Sequence, residues 1–98
     1  MNKISRALIS VWDKTGVREL AQFLNKKQIE IISTGGTKKI IEESGISVIS
    51  VSDLIDQKEI MDGRVKTLHP NLFGGILADR DNKKHISDLK SINGLGID

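Results

Sequence analysis

The sequence predicts an α/β domain in which a parallel β-sheet is flanked by helices. Three observations carry that expectation. Short, nearly continuous apolar runs alternate with segments of helical periodicity in the order β-α-β-α-β. Each intervening segment is long enough for a crossover between parallel strands. The chain has 98 residues, enough for one domain, and its 38% hydrophobic share with nine glycines is ordinary for a globular protein.

The elements follow in order. Ala7-Leu8-Ile9-Ser10-Val11 reads as a strand buried on both faces. Val17, Leu20, Ala21 and Leu24 recur at i, i+3, i+4 and i+7, which predicts an amphipathic helix with Arg18, Glu19 and Gln22 outward. Ile29, Ile31 and Ile32 make a second strand ending in Ser33-Thr34-Gly35-Gly36. Thr37 is expected to cap a helix carrying Ile40 and Ile41, with Gly45 as its stop. Val48, Ile49 and Val51 make the third strand. Beyond Asp53 the pattern weakens. Leu54 to Asp62 reads as a short helix, Gly63 to Asn71 as loop, and Phe73-Gly74-Gly75-Ile76-Leu77-Ala78 as a fourth strand whose glycines imply close backbone approach. Arg80 to Lys84 reads as polar loop, and Ile86, Leu89 and Lys90 as a last helix. The ending Asn93 to Asp98 looks like a helix stop running into a new strand, so the domain reads as truncated at its C-terminal end, with an unpaired sheet edge.

Composition narrows the function classes. Fifteen basic and thirteen acidic residues give a net charge of +2, too mild to argue for nucleic acid or a membrane surface. Three aromatics, Trp12, Phe23 and Phe73, make a poor base-stacking platform for a nucleic acid. The absence of cysteine excludes disulfides, thiolate metal sites and a cysteine nucleophile. The longest uncharged stretch, Thr67 to Ala78, falls short of the roughly 20 residues of a membrane helix. Arg6 and Asp13 bracket an apolar run too short for a signal peptide. A cytoplasmic location is expected.

In an open parallel sheet, ligands bind outside the carboxyl ends of the strands. The first strand ends in Ser10-Val11-Trp12-Asp13-Lys14-Thr15-Gly16, offering a hydroxyl, a carboxylate and an ammonium before a helix. The second ends in Ser33-Thr34-Gly35-Gly36-Thr37. Its glycines let backbone N–H groups approach an anion, and the following helix aims its positive end at it. Gly-Gly between strand and helix is also common turn chemistry, and Lys14 and Asp13 taken singly fit a surface lysine and a helix-start residue. Two such turns at neighbouring strand ends favour a phosphorylated ligand.

The densest stretch is Gly63-Arg64-Val65-Lys66-Thr67-Leu68-His69-Pro70. If extended, it points Arg64 and Lys66 the same way, placing a guanidinium and an ammonium in one site. Such a lysine can stabilise an oxyanion or donate a proton. The competing reading is a basic loop facing solvent. His69 is open between a hydrogen-bonded structural histidine and a site residue, whereas His85 reads as surface. Two histidines without cysteine make no metal site.

Three stretches, Ser10-Val11-x-Asp13-Lys14-Thr15-Gly16, Ser33-Thr34-Gly35-Gly36-Thr37 and Met61 to Pro70, followed by Gly75-Ile76-Leu77-Ala78, occur together and in order. In this they closely resemble the N-terminal IMP cyclohydrolase domain of the bifunctional purine biosynthesis enzymes. The resemblance covers essentially residues 1–98. Its most specific part is Arg-Val-Lys-Thr-Leu-His-Pro, since glycine turns like the second are shared across the wider methylglyoxal synthase-like superfamily.

The resemblance implies a methylglyoxal synthase-like three-layer fold. It implies dehydrative ring closure of formyl-AICAR ribonucleotide to IMP, with a homodimeric full-length protein. Neither metal nor redox cofactor is implied for that step. 10-Formyltetrahydrofolate would serve an AICAR transformylase domain lying outside this chain. Carried over by position, Ser10, Asp13, Lys14, Thr34, Gly35, Gly36, Thr37, Arg64 and Thr67 hold the nucleotide, and Lys66 is catalytic. Two departures stand out. Trp12 replaces the small polar residue usual in the family. The family's other proposed catalytic groups, a tyrosine, an aspartate and a second lysine, lie C-terminal to residue 98, so the chain alone is expected to turn over little substrate. The alternative is a non-catalytic nucleotide-binding module, like the regulatory domains of carbamoyl-phosphate synthetase. A methylglyoxal synthase fares worse, because the basic motif has no role there.

Overall fold

The computed structural model describes residues 3–55, 61 and 69–98. β1 (Arg6–Ile9), β2 (Glu30–Ser33) and β3 (Ile49–Ser50) form a parallel sheet in the order β1-β2-β3. α1 (Val17–Lys26) and α2 (Gly35–Glu43) are the two crossovers, as expected. β3 is shorter than the sequence suggests. Val51 instead begins α3 (Val51–Ile55), while most of the helix read over Leu54 to Asp62 and of the loop read from Gly63 lies outside the described residues. The family-level expectation of an α/β sheet with helices holds.

Successive β2 residues serve different layers, as the alternation of a strand requires. Ile31 packs with Ile9, Val17, Ala21, Ile41 and Ile46, the layer of α1 and α2. Ile32 packs with Val51 and Leu72, against which Leu8, Ile49, Leu54 and Ile97 lie. Burying each such isoleucine contributes about 1.5–3 kcal/mol. Helices therefore cover both faces, giving three layers.

α2 begins one turn earlier than expected. Its N-cap is Thr34, not Thr37, which sits buried within the first turn. Gly45 does follow the helix with φ +81°, and its N–H donates to the Glu42 carbonyl at 2.9 Å. This is the left-handed stop that glycine makes at least cost.

The expected fourth strand is a helix, α4 (Pro70–Leu77). His69 caps it by accepting from the Asn71 N–H at Nδ1 (3.1 Å), and Pro70 stands at the first turn, where its missing N–H costs nothing. Leu72 and Gly75, three residues apart, turn one face inward. Close backbone approach at the glycines is nevertheless correct. The Gly75 carbonyl accepts from Ile97 N–H at 3.0 Å, and a Cβ on Gly75 would overlap the Leu95 carbonyl oxygen. α5 (Lys83–Ser91) also starts earlier than expected, because the Asn82 side chain caps it by accepting from Lys84 and His85 N–H groups.

Residues 94–98 form no strand, yet they border β1. Asp98 N–H donates to the Arg6 carbonyl at 3.0 Å. The Asp98 carboxylate accepts from the N–H groups of Ser5 (2.8 Å) and Arg6 (3.0 Å). The β1 edge thus has partners at its start, at Ser5 and Arg6. No helix among the described residues is long and apolar enough to cross a membrane.

Candidate functional site

The parallel register that pairs Ile9 with Ser33 places the ends of β1 and β2 side by side. Ser33 Oγ donates to the Ile9 carbonyl at 2.6 Å, locking the two strand ends together. One residue further, the Ser10 and Thr34 hydroxyls meet at 2.9 Å. The Thr37 hydroxyl, buried at the start of α2, donates to the Val11 carbonyl (3.2 Å) and accepts from the Val11 N–H (3.3 Å).

The loop after β1 is folded over the same point. Lys14 Nζ donates to the carbonyls of Val11 and Trp12, the latter at 3.2 Å, rather than extending into solvent. Gly16, with φ +79°, leads into α1, and the Val17 N–H donates to the Lys14 carbonyl at 3.1 Å. The result is an open pocket of about 340 Å³ lined by Ser10, Val11, Trp12, Lys14, Thr34, Gly36 and Thr37.

Its electrostatics favour an anion. Lys14 supplies a positive charge, and the first turn of α2 carries no acidic residue. The Thr34 side chain makes no capping bond, because its hydroxyl is engaged with Ser10, so α2 presents its first-turn N–H groups without a side-chain acceptor. Gly36 leaves the wall low: a Cβ there would come no nearer than 3.7 Å, to Lys14 Cε.

Five of the expected site residues, Ser10, Lys14, Thr34, Gly36 and Thr37, therefore gather around one pocket. Gly35, with φ +46°, opens α2 beside the pocket without lining it. Asp13 does not line it either. Its carboxylate accepts from the Thr15 N–H at 2.9 Å, and the Thr15 hydroxyl and N–H, helped by Lys14, hold its carboxyl below the usual range. Arg64, Lys66 and Thr67 lie outside the described residues. Two lining residues, Val11 and Trp12, were not among those expected to contact a ligand. Val11 acts through its main chain, which no side-chain pattern advertises.

His69 is the half-buried cap of α4, and exposed His85 accepts from the Asp79 N–H at 3.0 Å. Among the described residues no cluster of three or more His, Cys, Asp or Glu is placed to hold a metal. A second, more apolar pocket of about 440 Å³ lies between α4 and α5 and includes none of the expected site residues.

Residues 16–98 match the family model described as "MGS-like domain". The bifunctional purine biosynthesis protein PurH of Clostridium acetobutylicum is 59% identical over 88 residues, covering 90% of this chain and 18% of that protein. PurH of Fusobacterium nucleatum is 60% identical over 88 residues, again 90% of this chain and 18% of the relative. PurH of Bacillus cereus is 57% identical over 93 residues, 95% of this chain. The chain thus spans about 18% of the length of these curated relatives. Among solved structures, the crystal structure of ForH superposes with a TM-score of 0.84 at 28% identity, over 98% of this chain and 50% of that one.

Proposed function

The chain belongs to the MGS-like domain family, and on that premise we propose that residues 1–98 are the N-terminal part of an IMP cyclohydrolase domain in a bifunctional enzyme of purine biosynthesis. The observation that carries the reading is the meeting of the Ser10–Lys14 and Thr34–Thr37 turns in one anion-receptive pocket. Identity of 57–60% to proteins named bifunctional purine biosynthesis protein PurH supports it.

In this reading the pocket holds the phosphate of formyl-AICAR ribonucleotide. Lys14 supplies charge, Ser10, Thr34 and Thr37 supply hydroxyls, and the α2 turn at Gly35 and Gly36 supplies N–H donors. Asp13 fixes the loop that carries Lys14. Arg64 and Thr67 hold the rest of the nucleotide. The carboxamide nitrogen attacks the formyl carbon, forming the ring C–N bond, and the former formyl oxygen leaves as water. An amide nitrogen is a weak nucleophile, so the site must hold attack geometry and stabilise the developing oxyanion, the task assigned to Lys66. The step changes no oxidation state, and Lys66 supplies the positive charge. 10-Formyltetrahydrofolate belongs to the transformylase domain of the complete enzyme, which we take to be cytoplasmic and homodimeric.

Calorimetric titration of the chain with IMP and with UMP tests the reading. Binding of IMP in preference to UMP is expected. UMP binding as tight as or tighter than IMP would replace the reading with a regulatory nucleotide sensor, which no observation favours at present.

A further inference from the structure

Trp12 is the only tryptophan of the chain, and it is 97% exposed while lining the pocket. A tryptophan side chain can bury 150–250 Å² of surface, roughly, when it packs. Here that surface is left in water although the main chain around it is fixed. The Trp12 carbonyl accepts from Lys14 Nζ, Val11 is tied at both N–H and C=O to Thr37, and Asp13 is tied to Thr15. An unpacked indole is therefore carried by a held backbone, on a residue that lines the same pocket as three hydroxyls and an ammonium.

Those two surfaces match the two ends of one class of ligand. Hydroxyls, N–H groups and an ammonium receive a phosphoryl group, and an indole face receives a flat heteroaromatic ring. We propose that Trp12 is a specificity-determining residue whose indole packs on the ring-bearing end of a bound nucleoside monophosphate, so that the site prefers it to a bare phosphate or sugar phosphate. The inference rests on the nucleotide reading above.

A sole tryptophan makes the test direct. IMP, ribose 5-phosphate and inorganic phosphate are titrated into the 98-residue chain, with affinity read by calorimetry and the indole by intrinsic fluorescence. IMP is expected to change the emission, and inorganic phosphate is not. Trp12→Ser should weaken IMP about tenfold, as loss of one stacking contact does, while leaving ribose 5-phosphate within about twofold. Trp12→Phe should restore most of the IMP affinity. Unchanged IMP affinity in Trp12→Ser overturns the proposal while leaving nucleotide binding intact. Equal weakening of all three ligands overturns it in favour of a general disturbance of the Lys14 loop. Absence of IMP binding to the unaltered chain removes the nucleotide reading and this inference with it.

Discussion

The Thr37 hydroxyl lies 3.3 Å from the Val11 nitrogen and 3.2 Å from the Val11 oxygen, so one side chain on α2 closes both main-chain groups of the residue that follows Ser10. That pair joins the β1 end to the α2 start, and the Lys14 ammonium adds a second donor to the same carbonyl. Thr37→Val keeps the shape and removes the hydroxyl. The Val11 carbonyl keeps Lys14 as a donor, so the change leaves only the Val11 N–H without a partner and should lower stability by about 1 kcal/mol. Thr37→Ser, which retains the hydroxyl, should lose less. Urea midpoints of the two variants decide the matter: a Thr37→Val midpoint equal to that of the parent chain would mean the Val11 contact contributes nothing.

Gly75 faces the segment that borders β1. A methyl group there would overlap the Leu95 carbonyl oxygen, and backbone cannot step aside as a flexible side chain can. Gly75→Ala should therefore destabilise the fold by at least about 1–3 kcal/mol, the usual cost of overpacking. Gly36→Ala meets only Lys14 Cε at ordinary distance and should leave the melting temperature near that of the parent. Equal melting temperatures for all three chains would contradict the close approach at Gly75.

Asp98 introduces a pH dependence. Its carboxyl is held below the usual carboxylate range, first by the Ser5 N–H, then by the Arg6 N–H, with a smaller contribution from the Arg80 charge. The folded state therefore favours the ionised form more than the unfolded chain does. The resulting stabilisation is complete above the unfolded value of about 3.9 and is lost as pH falls through the lower folded value. Asp98→Asn should be less stable than the parent near neutrality and should lose less on acidification. Parallel urea-midpoint curves from pH 7 down to about pH 2, spanning both values, would show that this carboxylate adds nothing.

On the proposed function Lys66 carries the chemical step, and its test calls for the complete protein. If its ammonium stabilises the oxyanion of ring closure, Lys66→Ala should cut turnover by about 100-fold or more with little change in substrate affinity. A loss confined to KM would reassign Lys66 to holding the nucleotide.

The three strands and two crossovers were legible because their cores are simple. Ile31, Ile32 and Ile41 are inaccessible or nearly so, and the periodicity around them is undiluted. Phe73 to Ala78 misled because a short apolar run suits a strand or a buried helix equally, and the deciding signal sits upstream in the His69 cap and Pro70. The pocket's polar residues were legible as strand-end turns. What remained hidden was mediated by main chain or by distance along the sequence. Val11 works through its amide and carbonyl, and Asp98 reaches residues more than ninety positions away.

The opposed packing of Ile31 and Ile32 makes β2 the molecule's parity check. Adding or deleting a single residue within this four-residue strand would send each isoleucine to the other layer, and would shift the Ser10–Thr34 hydroxyl pair out of step with it. The turn between α1 and β2, where Gln28 already adopts φ +61° and is exposed, carries no such constraint. Length variation among functional versions of this chain should therefore accumulate before Ile29 and avoid the interval from Glu30 to Thr34, so that the strand that builds the core also keeps count for the site.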